Sequence, residues 1–404
     1  MKRLWMAGLL FFCLLWADGR IAMASEDEKV AVEAERTAGQ AVPMEETEDT
    51  GEEIREGLLA DMDFTQVQDM LDEMLGDESF SFSKALKDVM SGEDAFTKEA
   101  MQELVRGLFF SRFEEERGIF VKILMLVFLA AVFSNLAAVF DNGQIGEVSF
   151  YVVYLLLFTL LTESFSVLSM SLSESLSWMT DFMRALAPAY FAAMAAAQGA
   201  SSAAAFYQGI LLLIWMIQWL LLRVILPGAN LYILMRLINH LSREEMLSKM
   251  AELLGTVIGW SLKTILGVMV GMQVVRSLVA PVMDSLKRGV IGRTASFIPG
   301  VGGAVNSVTE LIVTSAVLVR NSLGVVILAV IILVGAGPVI RYVFLSLAYR
   351  FLGALAQPIS DKRMVGALGT MGEGAAMLLR ILLTADVMCM LAFVILMAGF
   401  GGGG

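Results

Sequence analysis

From Ile119 onward the sequence repeatedly presents apolar runs of the length needed to cross a bilayer, and this constrains the fold more than any other feature. A hydrocarbon core roughly 30 Å thick takes about 20 helical residues. Inside it every backbone N–H and C=O has to be satisfied within the protein, so such runs form helices. Clear spans are Ile119–Phe140, Val148–Met170, Phe206–Leu226, Gly324–Leu347 and Ala375–Gly399. Two further runs are ambiguous: Leu253–Val275 carries Lys263 at its middle, and Phe297–Val319 is rich in Gly, Ser and Thr and carries Glu310. The count is about six to eight crossings. With Leu253–Val275 re-entrant or interfacial, six spans put three basic clusters, Arg236–Lys249, Lys287–Arg293 and Arg350–Arg363, in the cytoplasm and both termini outside. The expected fold class is therefore all-α, a polytopic helical membrane protein. A chain that is 57% hydrophobic and 17% charged, with mean hydropathy +0.72, lacks the polar surface of a large soluble enzyme.

The first quarter of the chain is of another kind. Lys2 and Arg3, the apolar stretch Leu4–Ala17 and Ala22-Met23-Ala24 have the three-part layout of a cleavable signal peptide, residues 1–24. Cleavage would leave the following segment outside the cytoplasm. Residues 25–118 hold 27 acidic against 9 basic side chains, whereas residues 119–404 hold 13 against 17. That acidity disfavours nucleic acid and anionic lipid as partners of the N-terminal region. Residues 25–57 are too polar to offset the entropy of ordering and are expected to be disordered. Residues 58–118 differ: Phe64, Val67, Met70, Leu71, Met74 and Leu75 recur at helical spacing, as do Met101, Leu104, Val105, Leu108 and Phe109. A few extracytoplasmic amphipathic helices are expected there, with a capping box between Thr65 and Gln68. They would pack on each other, on the membrane surface or on a partner.

After the first two transmembrane helices, residues 119–175, the sequence reads as an internal repeat, 176–278 against 283–399, followed by a Gly-rich tail at 400–404. Pro188 and Pro299 are separated by the same interval as Pro227 and Pro338. Each leading proline precedes a stretch of small residues and then a strongly apolar helix. Leu254-Gly255-Thr256 faces Leu368-Gly369-Thr370, and Lys263 faces Arg380. Paired repeats with Pro- and Gly-interrupted helices build the central pathway of many transporters. Pro188, Pro299 and the turn Gly300–Gly303 are the expected break points. Small residues also let helices pack closely without any pathway.

Charges in or beside apolar runs are Glu163, Lys263, Glu310, Arg380 and Asp386. Each costs on the order of 2.5–3.5 kcal/mol at the bilayer centre. They should therefore face protein or water, or snorkel to the headgroups. Glu310 with Arg380, and Asp386 with Lys263, are candidate pairs between segments. Enzymatic chemistry finds no support. The lone histidine, His240, sits among Arg236, Asn239 and Arg243 at a membrane edge. Once Cys13 leaves with the signal, Cys389 is a single thiol in an apolar run. No P-loop occurs, no nucleophile, base and oxyanion site assembles, and no metal or cofactor is expected.

The run Arg293-Thr-Ala-Ser-Phe-Ile-Pro-Gly-Val-Gly-Gly303, followed by Val319-Arg320-Asn321-Ser322-Leu323-Gly324, resembles the stage III sporulation protein AE family of endospore-forming bacteria. Ser296, Phe297, Pro299, Gly302 and Gly303 carry the match as motif positions. The layout of signal peptide, acidic stretch and multi-span region agrees along most of the chain. The resemblance implies a multi-pass subunit in the mother-cell membrane, part of the channel-like or secretion-like complex joining mother cell and forespore. It implies as partners the other membrane and extracytoplasmic subunits of that complex, besides the lipid bilayer, and leaves self-association open. No catalytic residue is implied. The rival readings are a self-contained secondary transporter of a small solute and a scaffold without a pathway.

Overall fold

The computed structural model describes residues 62–75, 80–91, 143–198, 212–241, 246–291, 302–358 and 360–398, with single positions at 57, 118, 121, 122, 124, 125, 128, 132 and 208. The expected signal sequence and acidic segment, the amphipathic run Met101–Phe109, most of the span Ile119–Phe140, the motif residues Ser296, Phe297, Pro299 and Gly300, and the Gly-rich tail lie outside them. Among the described residues there is no strand. Seven helices follow in order: α1 (Thr65–Leu75), α2 (Phe82–Met90), α3 (Gly143–Gln198), α4 (Leu212–Leu241), α5 (Ser248–Ile291), α6 (Gly302–Ala356) and α7 (Lys362–Ala398). The last five are each long and apolar enough to cross a membrane, and the protein is a multi-pass helical membrane protein.

Helix α7 is the hub, packing on α6, α4, α3 and α5, while α3 packs on α6 and α4, and α4 on α5. The polar contacts give the directions. Ser164 meets Tyr349 at 2.7 Å, Tyr342 donates to the Leu168 carbonyl at 2.9 Å, and Arg341 donates to Ser171 at 2.9 Å, so α3 and α6 are antiparallel. Tyr154 donates to the Leu237 carbonyl at 2.7 Å, joining α3 to α4. The Ser346 hydroxyl donates to the Gly372 carbonyl at 2.9 Å while Gly335 meets Asp386, which sets α6 antiparallel to α7. Arg236–Glu373 with His240–Thr370 sets α4 against α7, and Gly228–Ile258 with Gly255–Tyr232 sets α4 against α5, in the same way. Consequently α4 and α6 run one way while α3, α5 and α7 run the other. The hairpins α4–α5 and α6–α7 have the same sense.

Close approach at the hub depends on glycine. A methyl at Gly374 would lie 2.8 Å from Phe165 of α3 and 2.9 Å from Ile233 of α4. One at Gly372 would lie 2.8 Å from Arg350 Cγ and 3.1 Å from the Ser346 carbonyl oxygen of α6. Nearer the start of the helix, Gly366 leaves room for His240 of α4, whose Cε1 would stand 2.6 Å from a Cβ there. Glycine costs helix stability in isolation, but here it lets three helices reach the α7 backbone.

Several sequence expectations are revised. Phe297–Val319 and Gly324–Leu347 are not two spans: from Gly302 both belong to the single 55-residue helix α6, about 82 Å long. Nothing between Val319 and Gly324 supplies turn chemistry. Val319, Leu323, Val326 and Ile327 are buried in continuous register, so packing carries the helix through. Leu253–Val275 lies in the uninterrupted helix α5, so Lys249 and Lys287 stand at its opposite ends and the three basic clusters do not all share one side as expected. Pro188 does not break α3, which runs on to Gln198 with Leu186, Ala189 and Tyr190 buried on either side of it. Pro338 likewise lies inside α6. At Pro227 the helix adjusts without ending: Leu221–Ile225 widens into a π turn, with the Leu226 N–H donating to the Leu221 carbonyl. A proline ring clashes with the carbonyl four residues back, and a wider turn relieves that clash. Helices α3 and α5 also run across the expected boundaries at 175/176 and 278/283.

Of the two amphipathic runs, Phe64–Leu75 forms α1, while Met101–Phe109 lies outside the described residues; the apolar faces of α1 and of α2, which no run singled out, are used. Phe82 and Leu86 of α2 and Val67 and Leu71 of α1 are wholly buried, Phe64 and Phe82 stand 5.2 Å apart, α2 packs on α6, and Trp178 of α3 donates to the Met70 carbonyl at 3.3 Å. The expected capping box is replaced. Asp63 accepts from the Thr65 N–H and hydroxyl at 2.9 and 2.6 Å in an Asx-type turn. Those bonds hold the Asp63 carboxyl below its usual pKa range, the Thr65 hydroxyl being the larger cause. Gln68 instead ties α1 to α2, donating to the Phe80 carbonyl and accepting from the Phe82 N–H. Ser81 caps α2 by accepting from Lys84 N–H.

Candidate functional site

The interior of an apolar bundle selects against polar side chains, so those present mark where the helices do more than fill space. One group lies where α4, α5 and α7 meet. Arg236 of α4 pairs with Glu373 of α7 at 2.9 Å, and its guanidinium carbon stands 6.0 Å from the centre of the Tyr232 ring. Tyr232 in turn packs against Gly255 of α5. One turn on, His240 and Thr370 share a hydrogen bond of 2.9 Å. His240 is thus a bridge between α4 and α7. Arg380, on the exposed face of α7, extends the line of charge along that helix.

A second group is buried. Asp386 of α7 is 8% exposed and rests on Gly335 of α6, where a methyl would meet its carboxyl oxygens at 3.2 and 3.3 Å. One of those oxygens has no hydrogen-bond partner among the described residues. Gln218 of α4, 4% exposed, has neither amide atom bonded to a described residue. The candidate pair of Asp386 with Lys263 is not formed, because Lys263 stands on the exposed side of α5 while Asp386 faces α6. Near the π turn, Thr180, Met183 and Arg184 of α3 and Leu212, Ile214 and Trp215 of α4 line a cleft of about 300 Å³. Among the described residues no three His, Cys, Asp or Glu side chains gather in a metal-ligating cluster.

Of the singled-out residues, Pro188, Pro227 and Pro338 fall inside helices, and Gly302 and Gly303 open α6. Lys263 and Arg380 are exposed and Asp386 is buried, while the Glu310 side chain, and with it the candidate pair Glu310–Arg380, lies outside the described residues. The bundle does not bring Lys263, Arg380 and Asp386 into one site. Sequence reasoning missed the pairing of Arg236 with Glu373 and the contact glycines Gly366, Gly372 and Gly374. The signal that would have found the glycines is their crowding into the polar first third of an otherwise apolar helix.

Residues 80–399 match the sequence profile described as "Stage III sporulation protein AE (spore_III_AE)". The chain belongs to the stage III sporulation protein AE family. The matched stretch starts just before α2 and takes in all five long helices. Among curated proteins, the stage III sporulation protein AE of Bacillus subtilis (strain 168) is 24% identical over 373 residues, covering 90% of this chain and 93% of the relative. No solved structure matches. The family match over 80–399 and the five-helix bundle together describe a sporulation protein of the membrane.

Proposed function

We propose that this stage III sporulation protein AE family member is a non-catalytic membrane subunit of the channel-like complex that joins mother cell and forespore. The observation that carries the reading is the family match, which extends without interruption from α2 to the end of α7. The bundle supports a subunit role, since α7 is packed by four helices, three of them through glycine contacts that leave its first half closely filled.

The distribution of charge supports an orientation. Arg236 and Lys249, and Arg350, Lys362 and Arg363, belong to the same end of the bundle, as the Arg236–Glu373 and His240–Thr370 contacts require. By the positive-inside rule this end would face the mother-cell cytoplasm. Helices α1 and α2 attach near Trp178, about 36 Å along α3 from Tyr154 at the basic end. They would lie in the space between the two membranes, available to extracytoplasmic partner subunits. The internal duplication remains part of the proposal; with hairpins of the same sense its copies would be parallel rather than inverted.

The test is a clean deletion in the native host, scored for forespore size and late forespore gene expression after engulfment. Small, collapsing forespores with failed late expression and normal vegetative growth are expected. Normal spores would overturn the reading and bring a self-contained solute transporter to the front.

A further inference from the structure

Two outward faces of the bundle carry charge. On α3, Glu163, Met170, Glu174, Ser177 and Asp181 are all exposed and fall within about 40° of one line along the helix. Asp181 is paired with Arg184 at 3.2 Å, whereas Glu163 and Glu174 have no ion pair among the described residues. Exposed Ser166 and Ser177 keep this face slim as well as polar. On α5, Gly259, Lys263, Gly267 and Gly271 recur every four residues. A Cβ at any of these three glycines would meet no atom within 4 Å, so the row is open. Such a row allows another helix to approach at backbone distance. Lys263, exposed at its middle, has no ion pair among the described residues. The two faces are separate: α5 packs on α4 and α7, and α3 packs on α6, α7 and α4.

The heights of these charges identify what covers them. Contacts of Gly228 with Ile258 and of Gly255 with Tyr232 set α5 against α4. Arg236 with Glu373 sets α4 against α7, and Gly374 with Phe165 sets α7 against α3. Followed through these contacts, Lys263 and Glu174 lie within about 10 Å of one another along the bundle axis. Two copies inserted the same way therefore bring the acidic α3 face of one opposite the α5 row of the next at the right depth.

We infer that the α3 face bearing Glu163 and Glu174 in one copy docks on the Gly259–Gly271 row and Lys263 of α5 in a second copy. Because different surfaces meet, the contact is head-to-tail, and repetition about an axis along the membrane normal closes into a ring. The glycine row supplies close packing, and the acid–lysine pair selects register and partner. This inference does not depend on the sporulation role: a failure of self-association leaves the deletion phenotype unaffected, and the reverse also holds.

The test uses full-length protein in membranes, in a Cys13→Ser, Cys389→Ala background, with two differently tagged copies co-expressed. One copy carries Ser177→Cys on α3 and the other Thr264→Cys on α5, both exposed positions. Oxidation is expected to give a disulfide-linked dimer bearing both tags, and neither variant alone should cross-link to itself. Lys263→Glu in the Thr264→Cys copy should lower the yield about fivefold, and Glu174→Lys in the Ser177→Cys copy should restore at least about half of it. Four outcomes would overturn the inference: no mixed dimer from protein that remains folded by protease resistance, yields indifferent to charge, no restoration by the double reversal, or Ser177→Cys linking to itself in a two-fold contact.

Discussion

At position 374 even the smallest side chain has nowhere to go. Its Cβ would sit inside van der Waals contact with Phe165 and Ile233 at once, so both α3 and α4 would have to give way. Gly374→Val is expected to cost about 1–3 kcal/mol of stability, the usual range for overpacking. The measurement is thermal unfolding of the purified protein in detergent. Gly369, on the same helix, has no atom within 4 Å of the place a Cβ would take, so Gly369→Ala should be neutral or stabilising by up to about 1 kcal/mol. A similar loss at both positions would mean that α7 is not the packed hub described. The glycines were visible as letters in the sequence, but their difference was not. Which of them touches a neighbour depends on helix rotation, and a helix apolar nearly all round gives no amphipathic signal to set that rotation.

Among the elements, the first turn of α1 is held by a carboxylate. Asp63 holds the first turn through Thr65, and its pKa is lowered by those bonds, so its contribution is complete above the usual carboxylate range. As pH falls through the depressed pKa the carboxylate takes up a proton and the contribution is lost. Amide exchange at the start of α1 should accelerate in that acid window, and Asp63→Asn, which keeps an acceptor but cannot titrate, should lack the acid step. An unchanged acid profile in the variant would remove Asp63 from the account. The helical class and the existence of α1 were legible from periodicity; α2 was not singled out. The length of α6 was not, because Gly, Ser and Thr between Phe297 and Val319 and the polar run Arg320-Asn321-Ser322 resemble a connection. In the fold Arg320 is 1% exposed and bonds Asn321 at 2.9 Å, so polarity there is internal to the helix bundle. Pro227 misled in the same direction, since a π turn absorbs what would end a helix in water.

For the whole molecule, the register of the bundle makes a prediction about sidedness. Met250→Cys and Gln357→Cys, each exposed at the basic end, should react with a membrane-impermeant thiol reagent from one side, and Ser83→Cys on α2 from the other. Labelling of Met250→Cys and Ser83→Cys from the same side would contradict the proposed orientation. The apolar runs announced a membrane protein directly. The candidate surfaces were only half legible: Lys263 stood out as an intramembrane charge, but Glu174, past the expected span end at Met170, did not.

The central place of α7 bears on the order in which the chain is made. Chains emerge from the N-terminus, and earlier segments begin to fold before later ones exist. Here the last of the described helices to enter the membrane fills the middle, so α3, α4, α5 and α6 wait in the bilayer around a space that only residues 362–398 can occupy. Until then Arg236, His240 and Ser346 lack the partners Glu373, Thr370 and the Gly372 carbonyl. A chain cut short before Lys362 would therefore be an open arc of helices missing Glu373, Thr370 and Gly372, a natural substrate for membrane proteolysis, and the arrival of α7 doubles as the step that fills the bundle.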